Sequence, residues 1–388
     1  MPAQSVIIIG AGIYGVTASI ELRQRGYDVS LFDPGPLPHP LAASTDISKA
    51  IRMDYGADEG YMALMESALD IWRQWNAIFP EPLFHETGVT YLCQSEMKPG
   101  GFEHDSYQLL LKRGHKPQRM RSDDIRKSFP VWNADLYVDG YFNPEGGYAE
   151  SGKVVTRLIE EATRLGVKLF PNQKFARLIE KGSRVGGIIN GDGVTFESDA
   201  VIICAGAWTH HLLPHLKGML RSVGQPVFHL RPNDPLPYWP SRFPTYGADI
   251  SNSGYYGFPI NRDGVVKIAN HGVGREMHPE SSDRVVTPKE MRQLREFLQA
   301  SFPSLAAAPI TYTRVCLYSD TFDGHLWIDR DPDREGLVAA AGDSGHAFKF
   351  APVLGSIIAD ALEEKTNPRF RWRPNVKPPK SEEAARHQ

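Results

Sequence analysis

The sequence lacks long hydrophobic runs. None of its apolar stretches approaches the roughly 18 consecutive residues that a membrane-spanning helix requires, and we therefore expect no membrane partner. The apolar run at residues 6–9 has neither a basic leader nor a cleavage site, so we do not interpret it as a signal peptide. A buried strand explains that run better, because a glycine-rich segment follows it directly.

The sequence also has few cysteines. Cys93, Cys204 and Cys316 are odd in number and far apart in the chain. This pattern excludes a disulfide framework and a structural zinc site, and it favours a reducing, cytoplasmic setting. No cluster of histidine, cysteine and aspartate has the spacing of metal ligands, so we expect no metal.

Charge of one sign is not concentrated in any part of the sequence. The chain has 43 Lys+Arg and 46 Asp+Glu, a net charge of −3, and no polybasic or polyacidic block. Nucleic acid and anionic membrane surfaces are therefore not expected partners. A hydrophobic content of 41% and a length of 388 residues describe a globular protein of two or three domains.

The clearest motif lies near the N-terminus. An apolar run typical of a buried parallel strand leads into Gly10, Gly12 and Gly15, then into a helical pattern that ends at Gly26. A second strand follows and ends at Asp33. This is the order of elements in a βαβ dinucleotide-binding unit.

The glycine spacing of this motif has a physical basis. Gly10 permits the tight turn, Gly12 lets the backbone approach a pyrophosphate at the helix N-terminus, and Gly15 lets helix and strand pack closely. Asp33 can accept hydrogen bonds from an adenosine ribose, which disfavours a 2′-phosphate there. The motif predicts an adenine dinucleotide and does not separate NAD from FAD.

Two later segments also pair a strand with small residues. A buried strand that starts near Asp199 ends in Ala205 and Gly206, at the edge where an α/β sheet places ligands. Another strand, from Gly336, leads through a glycine-rich turn into a helix begun by Pro352. The second helix N-terminus can therefore face the same ligand.

Two groups of cations are candidates for a binding site. Lys49 and Arg52 follow small and hydroxyl residues, which suits a cofactor or anion site and equally suits a solvated loop. Near residues 265–271, Lys267 and His271 alternate onto one face of a predicted strand. That face is either exposed to solvent or presents a cation and a histidine to a ligand.

These segments together resemble a known family. The N-terminal motif, the mid-chain Cys-Ala-Gly-Ala-Trp and the late Gly-Asp-Ser-Gly-His-Ala-Phe-Lys-Phe are similar to segments of the FAD-dependent amine oxidases of the D-amino acid oxidase superfamily. The similarity is greatest to the monomeric sarcosine, N-methyltryptophan, pipecolate and fructosyl amino acid oxidases. Its most specific parts are residues 315–318, the Tyr-Tyr-Gly-Phe-Pro hairpin with Lys267 and His271, and the loop at residues 342–350.

The resemblance implies an α/β fold. It combines a Rossmann-like FAD-binding domain (GR2-type, D-amino acid oxidase-like) with an interleaved α+β substrate domain built on an antiparallel sheet. We assign residues 1–80, 148–217 and 317–370 to a discontinuous FAD-binding domain, 81–147 and 218–316 to the substrate domain, and 371–388 to a polar tail.

The resemblance also implies roles for single residues around the flavin. Cys316 matches the cysteine that forms a thioether to the flavin 8α-methyl group, although by itself it would be described as a buried free thiol. Lys267 matches the lysine that lies above the flavin and promotes its reaction with oxygen. Tyr318 matches a residue beside the flavin.

Other matched residues concern the substrate. Arg52 and Lys349 match the pair that holds the substrate carboxylate, for which a guanidinium fork and an ammonium are suited. His271 and Tyr256 match residues of the substrate cavity. At Lys49 sarcosine oxidases carry arginine and fructosyl amino acid oxidases carry lysine, so the sequence does not fix an N-methyl substrate.

The full set of expected FAD contacts comes from the three glycine-containing segments and the loops beside them. It comprises Gly10, Gly12, Ile13, Tyr14, Gly15, Asp33, Ser44, Ser48, Lys49, Phe175, Ala205, Gly206, Trp208, Cys316, Tyr318, Gly342, Gly345, His346, Phe348 and Lys349.

The resemblance implies an oxidase that converts a secondary amine of the N-substituted amino acid type to an imine and reduces O2 to H2O2. A fructosyl amino acid (Amadori product) oxidase and a pipecolate or saccharopine oxidase are the alternatives within the family. More distant alternatives are a flavin dehydrogenase with another acceptor, an NAD-dependent dehydrogenase and a non-enzymatic flavin-binding module. We expect a cytoplasmic monomer whose partners are a small secondary amino acid and O2.

Overall fold

The computed structural model describes residues 4–365 and 367–373. Across these residues, the α-helices in chain order are α1 (Ile13–Gln24), α2 (Glu59–Ile78), α3 (Phe102–Lys112), α4 (Ser122–Ser128), α5 (Ser151–Arg164), α6 (Thr209–Leu212), α7 (Ile250–Ser253), α8 (Pro288–Ser301) and α9 (Ala351–Leu362). Short 3-10 turns include Gly206–Trp208 and Phe348–Phe350, which lie between a strand and a helix.

The strands of the same residues form four sheets. In chain order they are β1 (Ser5–Ile9), β2 (Asp28–Phe32), β3 (Lys49–Ile51), β4 (Phe84–His85), β5 (Val89–Cys93), β6 (Gln118–Arg119), β7 (Asp139–Asn143), β8 (Gly147–Ala149), β9 (Lys168–Phe170), β10 (Phe175–Lys181), β11 (Arg184–Asn190), β12 (Thr195–Glu197), β13 (Ala200–Ile203), β14 (Leu220–Leu230), β15 (Thr245–Ala248), β16 (Tyr255–Gly257), β17 (Val266–Asn270), β18 (Arg275–Glu276), β19 (Ile310–Thr321), β20 (Trp327–Arg330) and β21 (Leu337–Ala341).

A six-stranded sheet forms the centre of the dinucleotide-binding part. Its order is β20-β21-β13-β1-β2-β9, and all neighbours are parallel except the antiparallel pair β20 and β21. β13 and β21 are buried along their whole length, as expected for parallel strands covered on both faces. The carboxyl ends of β1, β13 and β21 therefore meet at one edge, where ligands bind in such folds.

The first glycines hold α1 tightly against this sheet. Gly10 has φ +100, and a Cβ there would lie 2.5 Å from the carbonyl oxygen of Cys204. A Cβ at Gly15 would collide with the carbonyl oxygen of Gly10. Both positions require glycine, as the sequence motif predicts.

A nine-stranded sheet carries the second part of the fold. Its path is β18-β14-β17-β16-β15-β5-β7-β6, with β19 along the other side of β14 over nearly the full length of both strands. An aromatic cluster packs behind it, in which the ring of Trp132 lies 4.6 Å from Phe302 and 5.1 Å from Tyr246 between centroids. This sheet is mostly antiparallel, and some residues of β5 and β7, such as Tyr91 and Tyr141, belong to the same core cluster as Val6 and Ile8 of β1.

Most predicted elements form with small shifts of their ends, but one was wrongly placed. The β-rich runs at residues 169–170, 175–179, 185–189 and 194–196, with turn residues at 190–193, predict a single β-meander. In the structure β9 instead pairs in parallel with β2 in the six-stranded sheet, and the meander contains only β10, β11 and β12. Local patterning predicts a strand but not which sheet it joins, because register depends on distant residues.

The described part of the predicted polar tail packs on the fold. The backbone N–H of Trp372 donates to Asp329 at 2.7 Å, and its ring lies 5.2 Å from that of Trp327. Arg373 forms an ion pair with Asp323 at 2.5 Å. The rest of the tail, residues 374–388, lies outside the described residues. No helix among the residues described is long and apolar enough to cross a membrane.

Candidate active site

A cavity of about 510 Å³ opens at the carboxyl edge of the six-stranded sheet. It extends from the end of β1 and the first turn of α1 past the ends of β13 and β21 to β19. This volume lies in the range of small-molecule and cofactor sites. The edge that the sequence predicts as the ligand site therefore contains a cavity large enough for a cofactor.

Asp33 supports the glycine-rich loop directly. Its carboxylate accepts hydrogen bonds from the backbone N–H of Ala11 at 2.9 Å and of Gly35 at 3.0 Å. Burial raises the pKa of Asp33, and these two hydrogen bonds oppose the rise. Ser44 adds a further contact, because its Oγ accepts from the N–H of Ile13 at 3.2 Å.

Most of the expected FAD contacts line this cavity. They are Gly10, Gly12, Ile13, Tyr14, Asp33, Ser44, Lys49, Phe175, Ala205, Gly206, Trp208, Tyr318, Gly345 and Phe348. Six other expected contacts lie outside the lining, and two of them, His346 and Lys349, line a second cavity described below. Gly15 lies at the contact between α1 and β1, Gly342 in the turn after β21, and Ser48 and Cys316 are buried beside the cavity.

The cavity suits an FAD molecule in its shape and donors. A Cβ at Gly206 would meet open space, and one at Gly12 would meet only the hydroxyl of Ser44, so the backbone can approach a ligand there. The N-terminus of α1 faces the cavity and suits a pyrophosphate. The buried hydroxyl of Tyr14 has no hydrogen-bond partner among the described residues.

A second, smaller cavity of about 70 Å³ adjoins the first. The two cavities share Lys49, Gly345 and Phe348 as lining residues. The smaller one is also lined by Arg52, Tyr91, Thr245, Tyr256, His271, His346 and Lys349. The structure thus brings the predicted substrate residues of four separate segments to one small cavity beside the dinucleotide cavity.

Lys349 is held in place by aromatic and backbone groups. Its Nζ donates to the hydroxyl of Tyr55 at 2.8 Å and to the carbonyl of His346 at 2.9 Å. The indole N–H of Trp72 donates to the Lys349 carbonyl at 2.7 Å, which fixes the backbone. An ammonium that is 3% exposed and so positioned is suited to bind an anion in the cavity.

Arg52 also lies beside Tyr55. Its guanidinium is 5.2 Å from the centroid of the Tyr55 ring and donates to the backbone carbonyl of Asp54. Asp54 is fully buried and accepts a hydrogen bond from the hydroxyl of Tyr141 at 2.6 Å. Burial raises the pKa of Asp54 despite that hydrogen bond and the nearby Arg52.

Lys267 is buried in the nine-stranded sheet. Its ammonium lies 2.7 Å from Asp46 and donates to the carbonyl of Ser48 at 2.5 Å. Lys267 is 1% exposed and His271 is 7% exposed, so the interpretation of this strand face as solvent-exposed was wrong. Burial lowers the pKa of Lys267 to about 8, against the opposing effect of Asp46.

Cys316 lies in an apolar cluster beside the cavity. It packs with Val227, Ala269 and Tyr318 and is 2% exposed. The ammonium of Lys49 lies 3.7 Å from its sulfur. Burial alone would lower the pKa of Lys49, but the neighbouring Cys316 and Asp46 outweigh burial and raise it.

His271 and Tyr256 line the smaller cavity. The Nδ1 of His271 is 3.3 Å from the hydroxyl of Tyr318, which lines the dinucleotide cavity. The ring of Tyr256 is 6.4 Å from that of His271 between centroids. These rings connect the substrate side with the cofactor side of the site.

Sequence reasoning missed several groups of this region. Asp343, within the late glycine-rich segment, lines the dinucleotide cavity and accepts from the backbone N–H groups of Ser319 and Gly345 at 2.9 and 2.8 Å. Burial raises its pKa to about 6. Asp46 was also missed, although it lies three residues before Lys49 and its acidic character was visible in the sequence.

One buried cluster lies outside the two cavities. Cys93, Glu103 and Asp249 bring potential ligand atoms within 4.8 Å of one another. Their spacing in the sequence gave no sign of this proximity. The carboxylate of Glu103 already accepts from the N–H and hydroxyl of Ser251, and that of Asp249 accepts from Asn252.

Comparison with known proteins defines the class of this protein. The model of the DAO family, FAD dependent oxidoreductase, matches residues 5–361. The chain therefore belongs to this family of FAD-dependent oxidoreductases, and the prediction of an FAD enzyme with a D-amino acid oxidase-like fold is confirmed. The NAD-dependent alternative is not supported.

Particular relatives agree with this assignment. The chain is 27% identical to L-saccharopine oxidase of Schizosaccharomyces pombe, over 97% of this chain and 94% of that protein. It is 27% identical to monomeric sarcosine oxidase of a Bacillus species, over 93% of each. Amadoriase I of Aspergillus fumigatus, a fructosyl amine:oxygen oxidoreductase, has a similar structure with a TM-score of 0.81, 26% identity and coverage of 96% and 90%.

Proposed function

We propose that this protein is an FAD-dependent oxidase of N-substituted amino acids, which oxidises the C–N bond of a secondary amine and reduces O2 to H2O2. The observation that carries the proposal is the small cavity with Arg52 and Lys349 in its lining, directly beside the dinucleotide cavity. The relatives named for saccharopine, sarcosine and fructosyl amine oxidation support the same reaction type.

The substrate carboxylate would be bound by Arg52 and Lys349. A guanidinium offers two parallel donors to a carboxylate, and the ammonium adds a point charge. Tyr55 lies beside both cations, so it helps to hold them in the same part of the cavity lining. This clamp would orient the carbon next to nitrogen toward the cofactor, and orientation of this kind is a major part of catalysis.

The cations of the cavity would also favour the reactive form of the amine. An amine must lose its proton before its C–H bond is oxidised, and nearby positive charges disfavour the ammonium form. Bound FAD would accept the hydride equivalent, and water would hydrolyse the imine product. The residues of this chain contribute binding, orientation and charge.

Lys267 would promote the reaction with oxygen. One-electron transfer to O2 creates negative charge, which a fixed ammonium stabilises. At about 4 Å and an effective dielectric near 20, a unit charge contributes about 4 kcal/mol. That corresponds to a rate effect on the order of a thousandfold.

Cys316 would carry a thioether to the flavin. The support is its burial beside Tyr318 at the cavity and the adjacent Lys49 ammonium. We also propose that residues 1–80, 148–217 and 317–370 form the FAD-binding domain and residues 81–147 and 218–316 the substrate domain. We further propose that the protein is a cytoplasmic monomer.

The test of the proposed function is a peroxide-release screen of purified holoenzyme. Its substrates are sarcosine, other N-methyl amino acids, proline, pipecolate, saccharopine and fructosyl amino acids. Peroxide from at least one carboxylate-bearing secondary amine is expected. A yellow protein that releases none with any of them would contradict the proposal, and the pattern of activity would identify the nitrogen substituent.

A further inference from the structure

A row of side chains connects the buried Lys267 with the protein surface. Lys267 in β17 is paired with His229 in β14, and His229 is paired with Tyr312 in β19. Residues directly opposite each other on neighbouring strands share a face of the sheet. Exposure along this row rises from 1% at Lys267 to 8% at His229 and 52% at Tyr312.

Asp46 lies between two members of this row. One of its carboxylate oxygens is 2.7 Å from the ammonium of Lys267, and the other is 3.7 Å from Nε2 of His229. That imidazole nitrogen is buried and has no hydrogen-bond partner in the part of the chain that is described. The His229 ring packs 5.0 Å from the ring of Tyr312 between centroids.

The other charged and titratable groups near this pair do not replace Asp46. Lys49 and Cys316 are the further groups that act on Lys267, and Lys49 adds positive charge. Asp46 itself interacts with Lys267, His229, Lys49 and Arg314, and Lys267 has the largest effect of the four. Asp46 is thus the carboxylate that offsets a group of buried cations, and its pKa is held well below its usual value although burial opposes this.

We propose that Asp46 is a positioning residue that keeps Lys267 in its charged form at the cofactor site, and that His229 connects the pair with solvent for proton exchange. This inference rests on the proposed role of Lys267 in the reaction with oxygen. It adds two residues for which the resemblance implied no role.

The proton balance of the reaction explains why Lys267 would need a connection to solvent. Reduction of O2 to H2O2 takes up two electrons and two protons, and the electrons and one proton come from the substrate C–H bond by way of the cofactor. The second proton leaves the Lys267 ammonium as a new O–H bond forms. Asp46 and His229 then return one proton from solvent to the Lys267 amine, and the amine of the substrate releases its own proton to solvent.

The first experiment measures reoxidation of substrate-reduced holoenzyme by O2 in a stopped-flow instrument as a function of pH. The wild-type rate should fall as the pH rises through about 8, where Lys267 loses its proton. In Asp46→Asn the midpoint should fall by about two pH units or more, because a buried amine without its counter-ion is deprotonated more easily. Asp46→Glu keeps the negative charge, so its midpoint should lie between those of Asp46→Asn and the wild type.

His229→Phe tests the connection to solvent. Phenylalanine keeps the packing on Tyr312 and removes both ring nitrogens. The midpoint should stay near the wild-type value while reoxidation slows severalfold, because the lysine regains its proton more slowly. If His229→Phe is reoxidised as fast as the wild type, His229 is not part of the proposed proton pathway.

Asp139→Asn is the matched control. Asp139 is also a buried carboxylate of this part of the fold, and it pairs with Arg119 at 2.7 Å. Its substitution should lower thermal stability without moving the pH midpoint of reoxidation. An equal shift in Asp139→Asn, or an Asp46→Asn profile that superimposes on wild type, would overturn the proposal.

A second measurement does not depend on activity. Thermal unfolding of Asp46→Asn, Lys267→Met and the double variant should show that the double variant recovers part of the loss caused by Asp46→Asn. The deficit of Asp46→Asn should shrink as the pH rises from about 7 to about 10, since a neutral lysine tolerates burial. If the stability losses of the two single variants simply add in the double variant, the result contradicts the pairing of Asp46 with Lys267.

The proposed role of Lys267 and the proposed roles of Asp46 and His229 can be contradicted separately. If Lys267→Met reoxidises at the wild-type rate, the oxygen role of Lys267 fails, and the roles of Asp46 and His229 fail with it. If Lys267→Met is slow but the Asp46→Asn profile is unchanged, only the present inference fails. Should Asp46→Asn not fold, the pH profile of Asp46→Glu tests the role of Asp46 instead, because its midpoint should also lie below that of the wild type, and His229→Phe still tests the connection to solvent.

Discussion

The ammonium nitrogen of Lys49 lies 3.7 Å from the sulfur of Cys316, and the two residues are 267 positions apart in the sequence. This pairing joins β3, whose Lys49 lines both cavities, to β19 beside the cofactor cavity. The thioether proposed for Cys316 would therefore form within contact distance of an ammonium group.

The first prediction concerns the covalent flavin. Acid precipitation of the wild-type holoenzyme should leave the yellow colour in the pellet, whereas Cys316→Ser should release it into the supernatant. Lys49→Met should bind FAD but attach it slowly or not at all. Colour found entirely in the wild-type supernatant would rule out the thioether.

The second prediction concerns the oxygen reaction. Lys267→Met should leave anaerobic reduction of the flavin by substrate nearly unchanged, because the lysine lies in the sheet and not in the lining of the substrate cavity. Reoxidation by O2 should slow on the order of a thousandfold, from the loss of about 4 kcal/mol of charge stabilisation. Stopped-flow absorbance separates the two half-reactions. An unchanged oxidative half-reaction would remove Lys267 from this role.

The third prediction concerns substrate binding. Lys349→Met should lower kcat/KM for a carboxylate substrate about tenfold to a hundredfold, the effect expected for one charge-assisted hydrogen bond. The matched control is the corresponding amino acid amide, which lacks the negative charge and should lose much less. Equal losses for acid and amide would show that Lys349 does not bind the carboxylate.

The fourth prediction concerns the contact between α1 and β1. Gly15→Ala should destabilise the protein by about 1–3 kcal/mol and weaken FAD retention, because the new methyl group collides with the Gly10 carbonyl. Gly186→Ala is the control, since a Cβ there meets open space. Thermal unfolding with and without added FAD measures both effects. A Gly15→Ala variant as stable as Gly186→Ala would contradict the packing argument.

The fifth prediction concerns pH and stability. His115 bridges Glu66 and Glu145 at 2.9 and 3.0 Å, and these carboxylates raise its pKa although burial opposes them. A raised histidine pKa gives stability that is present at low pH and is lost as the pH rises through the folded-state value. His115→Gln should therefore cost more stability near pH 6 than near pH 8.

A double variant tests the cause of this pH dependence. Glu66→Gln with Glu145→Gln should remove most of the difference between the two pH values, because the imidazolium loses both partners. Unfolding by denaturant at each pH gives the free energies to compare. A His115→Gln loss that is the same at both pH values would contradict the assignment.

Much of the fold could be predicted because its signals are local. The strand, glycine turn and helix around Gly10 and Gly15 depend on close approach of neighbouring backbone atoms, which the residue types dictate. Helix α8 begins at Pro288 after Thr287, whose hydroxyl accepts from the N–H of Glu290, a contact between residues three apart in the sequence. β9 was misplaced because strand pairing is decided by distant partners.

Less of the candidate site could be predicted from the residues alone. Lys267 and His271 were visible as an alternating pair, but only the packed sheet shows that their face is buried. The acid that compensates Lys267 comes from a loop more than two hundred residues away. Asp46 was therefore missed, since nothing in the spacing of the two residues connects them.

The sequence by itself determined the dinucleotide-binding unit, the class of cofactor through its resemblance to a family, and the residue types available to bind a carboxylate. The tertiary structure alone decided that Lys49 reaches Cys316, that Asp46 neutralises Lys267, and that two cavities adjoin at Gly345. The physical reason is that backbone geometry follows from neighbouring residues, whereas the charge state of a buried group follows from whatever the whole fold places around it.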